Sequence, residues 1–130
     1  MSSTALKAIF MNTDQIQPCR GEIWLVNFDP TIGAEIKKVR PAMVLSVDSL
    51  GILPLRLVVP ITGWRPEFSH NPWHVFIASD SENGLQKNSA LDLLQIKSID
   101  TGRLIKKMGN IDQNTLKESL KALMIVVGHR

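Results

Sequence analysis

The sequence predicts a mostly β domain closed by one helix: a small curled β-sheet or barrel with a C-terminal amphipathic helix packed on it. Two observations carry this expectation. Short apolar or alternating runs recur between Arg20 and Met108, each bounded by clusters of Gly, Pro, Asn, Asp or Ser. Only then do Leu116, Leu120, Leu123, Met124 and Val127 recur at helical spacing.

Residues 1–18 are rich in Ser, Thr, Asn and Gln and lack sustained periodicity, so they are expected to form a disordered extension; the domain proper runs over 19–130. Glu22 to Phe28 reads as a first strand with apolar groups on both faces, and Ala42 to Val47 as a second. The connection between them is far longer than the two to five residues a hairpin needs, which marks it as functional or mobile. Gly33 offers it a pivot, and Lys37, Lys38 and Arg40 at its far end suit an anion. Leu55 to Thr62 alternates Leu55, Leu57, Val59 and Ile61 on one face, with Pro60 implying an edge or bulge. Trp73 to Ile77, Ser89 to Ile96 and Ile105 to Met108 are further strands, the last stopped by Gly109-Asn110; Ile99 to Leu104 reads as a short helical turn. Asp112 or Thr115 caps the final helix, Thr115 with Glu118 fits a capping box, and Gly128 ends it.

A chain of 130 residues with 44% apolar content is long enough for one domain with a real core. The net charge of +3 is mild, so where the charges cluster says more than their sum. A single cysteine, Cys19, rules out an internal disulfide and a Cys-rich zinc site. No apolar run approaches membrane-spanning length, and the N-terminus makes a poor signal peptide, so no membrane association and a cytoplasmic location are expected. No pair of the three histidines has metal-ligand spacing, and neither metal nor other cofactor is expected. His74 is expected to face solvent beside Trp73 and Val75, and none of His70, His74 and His129 is assigned to catalysis.

Six segments occur in an order that resembles the MazF/PemK family of bacterial toxins. They are Arg20-Gly21-Glu22-Ile23-Trp24, Asp29-Pro30-Thr31-x-Gly33-x-Glu35, Arg40-Pro41-Ala42, Val59-Pro60-Ile61-Thr62, Pro72-Trp73-His74-Val75 and Gln95-x-x-Ser98-Ile99-Asp100. Each is weak alone; the ordered set over some 110 residues is specific. The resemblance implies an SH3-like barrel, usually a homodimer, and the toxin half of a toxin–antitoxin pair. It implies a metal-independent endoribonuclease that cuts single-stranded RNA by attack of the 2′-hydroxyl on the adjacent phosphorus, leaving a 2′,3′-cyclic phosphate. RNA and a cognate antitoxin are the implied partners.

The residues suit that chemistry independently. In-line phosphoryl transfer gathers negative charge on non-bridging oxygens, so fixed cations and donors matter more than a protein nucleophile. Arg40 supplies a planar fork of donors, and Pro41 holds the backbone after it extended. Thr62 supplies a neutral hydroxyl at a strand end. The resemblance places Arg40 and Thr62 together in the active site and matches Glu35 to a carboxylate that matters in some members. Read as solvated loop, turn and surface residues, the three would carry no chemistry.

Thr31, Lys37, Lys38, Arg56, Arg65 and Gln95 are candidate RNA contacts, and Trp64 can stack bases, as can Phe68. The alternative for the two aromatics is to cover the barrel end or a dimer interface. Some relatives carry an Arg-x-Asp before the Gln; here Asp92 and Leu94 stand there, so that acid–base pair does not carry over. Two rival functions share the fold: a gyrase-binding toxin of the CcdB kind, which depends on terminal aromatic residues absent from Val126-Val127-Gly128-His129-Arg130, and a catalytically dead binding module.

Overall fold

The computed structural model describes residues 17–129. Seven strands form one antiparallel sheet: β1 (Glu22–Asn27), β2 (Val39–Val44), β3 (Leu55–Gly63), β4 (His74–Ile77), β5 (Ser89–Asp92), β6 (Lys97–Asp100) and β7 (Leu104–Asn110). They pair in the order β4-β5-β3-β2-β1-β7, with β6 also on β3. The one α-helix among the described residues, α1 (Gln113–Val126), follows and packs on β4 and on the 3-10 turn Leu93–Gln95.

The long strand β3 organises the sheet. Its first half pairs with β6, its middle with β2, and Ile61–Gly63 with β5. Pro60 sits opposite Ala42 where β3 passes from one set of partners to the other, so its missing N–H falls at a junction. The expected one-faced alternation along β3 is replaced by burial on both faces. Val59 and Ile61 join a core with Ile23, Met43, Leu91 and the helix, while Val58 joins a second core with Val26, Phe28, Val44 and Leu104.

β2 begins at Val39, ahead of the expected Ala42, and so takes Arg40 and Pro41 into the strand. Pro41 pairs with Leu25 of β1 at a point where β3 has not yet joined β2, so no ladder bond is lost on its free side. β5 stops at Asp92, earlier than expected, because the Asp92 carboxylate accepts the Leu94 N–H and turns the chain. Lys97–Asp100 is a strand that the sequence reading did not foresee, and the helical turn narrows to Thr101–Arg103. β7 runs on through Gly109-Asn110, where a Cβ on Gly109 would meet the Glu82 carbonyl oxygen.

Most of the expected N-terminal extension, residues 1–16, lies outside the described residues. Pro18, which the sequence reading assigns to that extension, is fully buried. Its carbonyl accepts a hydrogen bond from Arg56, and the Cys19 N–H is held by Glu22 at 2.7 Å. Although burial pushes the other way, hydrogen bonds from Cys19, Lys107 and Trp24 hold the Glu22 carboxyl below its ordinary range.

Asp112, not Thr115, caps the helix: its carboxylate accepts the Thr115 N–H at 2.6 Å, a bond that lowers its pKa. Glu118 pairs with Lys121 instead of closing a capping box. Leu116, Ser119 and Ala122 are buried, whereas Met124 and Val127 turn to solvent. Gly128, at φ +72°, ends the helix: its N–H meets the Ile125 carbonyl and that of His129 meets Met124, a Schellman pair.

Candidate active site

Arg40 enters from the start of β2, and Thr62 from the end of β3. Both line one cavity of about 350 Å³ whose other wall is the segment Leu85–Lys87, with Lys106 of β7 at its side. Among the described residues the Arg40 guanidinium makes one hydrogen bond, from Nε to the Lys37 carbonyl at 3.2 Å. That bond aims the side chain and leaves both terminal nitrogens for an anion. The loop residue Lys37 thus contributes its backbone to the site, while its own ammonium stays exposed with that of Lys38.

Glu35 is not brought to this cavity. It borders a second one of about 300 Å³ with Phe28, Ile36, Pro60, Leu94 and Gln95, and its carboxylate accepts the Ile32 N–H at 2.6 Å. Gln95 fastens the same loop from below, accepting the Ile36 N–H and donating to the Ala34 carbonyl. At the loop's base the Phe28 N–H meets the Lys38 carbonyl, and Lys38, at φ 64°, has its N–H held by Asp29. The connection expected to be functional or mobile therefore has tethers at its base and its middle. Thr31 is half-buried within it.

Arg56 is turned inward. It is 3% exposed, and its three nitrogens donate to the carbonyls of Pro18, Leu53, Leu55 and Gly51. A guanidinium so enclosed has no face left for phosphate, which corrects its expected role. Arg65 is exposed at the entry to a 3-10 turn, Pro66–His70. Trp64 lies edge-on to Phe68 and Phe76, at centroid distances of 5.9 and 5.0 Å, and does not border the Arg40 cavity. Trp64 is thus already engaged in aromatic packing at this end of the sheet.

His74 is not solvent-facing as expected. Its side chain is 7% exposed, stacked on Phe68 at 3.9 Å, with Asp92 Oδ2 at 3.7 Å from Nε2. Burial pushes its pKa below 6.5, against the opposing pull of Asp92. The folded protein then binds this proton less tightly than the unfolded chain, so the His74 contribution to stability falls as pH drops below about 6.5. His74→Gln is expected to flatten the dependence of the unfolding free energy on pH in that window; an unchanged slope in urea titrations would refute it.

Lys87 and Lys106 were not singled out from the sequence. A signal existed for Lys106, a cation inside the expected strand Ile105 to Met108, whereas Lys87 lies in a polar turn with no local mark. Among the described residues no three His, Cys, Asp or Glu side chains gather to hold a metal, and no helix is long and apolar enough to cross a membrane.

The profile of the family described as PemK-like, MazF-like toxin of type II toxin–antitoxin systems matches residues 19–127. Endoribonuclease MazF9 of Mycobacterium tuberculosis is 34% identical over 112 residues, covering 82% of this chain and 92% of the relative. The crystal structure of MazF from Deinococcus radiodurans is similar with a TM-score of 0.72 at 24% identity, over 85% of this chain and 96% of that one. A MazE–MazF complex from the same organism gives a TM-score of 0.66 at 24% identity, over 88% and 99%. These two structures speak for the fold. The profile and the curated relative establish that the chain belongs to the PemK/MazF toxin family.

Proposed function

We propose that Arg40 and Thr62 carry out the metal-independent cleavage of single-stranded RNA by which this endoribonuclease toxin acts. The observation that supports them is their shared cavity, with the terminal nitrogens of Arg40 unpartnered among the described residues. In the step, the 2′-oxygen bonds to phosphorus as the phosphorus–5′-oxygen bond breaks. The 2′-hydroxyl proton passes to solvent, and the departing 5′-oxygen takes one from solvent. Charge builds on the non-bridging oxygens, where Arg40 gives fixed positive charge and the Thr62 hydroxyl a neutral donor. Glu35 supports the site indirectly, by holding the loop that supplies the Lys37 carbonyl. Lys37, Lys38 and Arg65 are exposed cations suited to phosphates farther along the strand; Thr31 and Gln95 act through the loop.

Thr62→Val keeps the shape and removes one donor. It is expected to cost on the order of 1 kcal/mol or less in stability and about tenfold or more in cleavage rate. Thr62→Ser is expected to retain the rate; equal behaviour of the two variants in a single-turnover assay would remove the hydroxyl from the mechanism.

The working form is a cytoplasmic homodimer inhibited by a cognate antitoxin. A surface with the exposed lysines Lys37 and Lys38 and the exposed apolar side chains Ile32 and Val39 suits an acidic, disordered peptide with apolar anchors as well as RNA. Peptide and RNA are expected to compete, and both affinities to weaken as salt rises; simultaneous independent binding would refute a shared surface. The gyrase-binding alternative is disfavoured by the endoribonuclease relative.

A further inference from the structure

Arg40 is not the only cation held at the cavity. Lys87 lies across Gly63, its Cε and Nζ each 3.0 Å from where a Cβ would stand on that residue. Gly63 follows Thr62 at the end of β3, and Thr62, Gly63 and Lys87 all border the cavity that Arg40 lines. A glycine here leaves the space the lysine occupies.

The backbone that follows Lys87 is fixed. Ser89 pairs with Gly63 in the β3–β5 ladder, the Asn88 carbonyl accepts the Trp64 N–H at 3.1 Å, and the Ser89 hydroxyl donates to the Lys87 carbonyl at 2.9 Å. Among the described residues the ion pairs are His74–Asp92, Lys107–Glu22 and Lys121–Glu118, so no carboxylate neutralises Lys87. Lys107 is spent on Glu22, while Arg40, Lys87 and Lys106 face one cavity without an acid. Like charges gathered in this way repel until an anion sits among them.

We propose that Lys87 is a second phosphate-binding cation of the site, seated over Gly63 to meet a non-bridging oxygen of the scissile phosphate opposite Arg40. It moves no proton and adds no step. It rests on the endoribonuclease reading and adds a residue to it.

The test is steady-state cleavage of a defined single-stranded RNA in chelator, across a range of salt, by the full chain and by Lys87→Met, Lys87→Arg, Gly63→Ala and the Lys87→Met/Gly63→Ala double variant. Lys87→Met is expected to lower kcat/KM about 10-fold or more, mostly through kcat, with Lys87→Arg recovering part of it. The slope of log(kcat/KM) against log[salt] is expected to flatten by about 0.7 in Lys87→Met, the share of one lost phosphate contact on a single strand. Gly63→Ala displaces the ammonium without removing its charge, so it is expected to slow cleavage in the parent and to add nothing in the Lys87→Met background. Cleavage by the full chain with Lys87→Met at the same rate and salt slope, or effects of the two substitutions that multiply, would overturn this inference alone. No cleavage by the full chain would overturn the endoribonuclease reading and this inference with it.

Discussion

Arg40→Ala is expected to lower RNA cleavage about 10²–10³-fold, the scale on which an enzyme loses one preorganised partner of a developing oxyanion. The protein is expected to stay folded. Arg40 is only half-buried, and its guanidinium makes a single hydrogen bond, to the Lys37 carbonyl, so truncation orphans no deep polar group. A stability change within about 0.5 kcal/mol is the norm for such positions. Arg40→Lys keeps a charge but loses the planar fork and is expected to restore only a small part of the rate. Single-turnover cleavage beside a thermal melt decides it. A folded Arg40→Ala protein that cleaves at the normal rate would remove this residue from the chemistry.

Arg56→Met is expected to do the reverse, with its main effect on stability. The side chain it removes satisfies four carbonyls, of Pro18, Gly51, Leu53 and Leu55, that join the chain's entry, the turn after Leu50 and the start of β3. Hydrogen bonds from charged donors contribute about 1.5–3 kcal/mol each and are not additive, so a loss of about 3 kcal/mol or more is expected. Urea unfolding of this variant measures it. Under conditions where Arg56→Met remains folded, its RNA cleavage and salt slope are expected to match the parent. A stable Arg56→Met protein with weakened RNA binding would restore the phosphate role that the geometry denies it.

This contrast between two arginines marks what was legible in the sequence. Arg40 could be read because its neighbour Pro41 and the following apolar run fix its local conformation, and because it falls within an ordered set of motifs. Arg56 sits in an alternating strand where a charged residue would ordinarily face water. Its burial depends on carbonyls from residues 18, 51, 53 and 55 converging on one point, and only the fold assembles these. The same holds for Lys87. Nothing local marks it, since its place over Gly63 arises from the β3–β5 pairing.

The strands β1, β3 and β4 were legible as apolar runs bounded by turn residues, and the others less so where side chains override that pattern. Asp92 ends β5 early through its own carboxylate, and β6 is short and polar enough to read as a turn. His74 was misplaced because alternation within a four-residue strand assigns faces but not the loop that covers them. Phe68, from the turn Pro66–His70, lies flat on its ring. The joint placement of Arg40 and Thr62 was legible through the family resemblance. That the Glu35 carboxylate accepts the Ile32 N–H needed three-dimensional structure.

The most direct measurement is end-group analysis of a defined single-stranded RNA incubated with the purified chain in the presence of a chelator. The expected result is cleavage at a short sequence, with a 2′,3′-cyclic phosphate on one product and a 5′-hydroxyl on the other. A matched substrate with a 2′-deoxy sugar at the cleaved position is expected to remain intact, because the attacking oxygen is gone. Intact RNA in the chelator, products ending in 3′-hydroxyl and 5′-phosphate, or cleavage of the 2′-deoxy substrate would contradict a site in which Arg40 and Thr62 stabilise attack by the RNA's own 2′-oxygen.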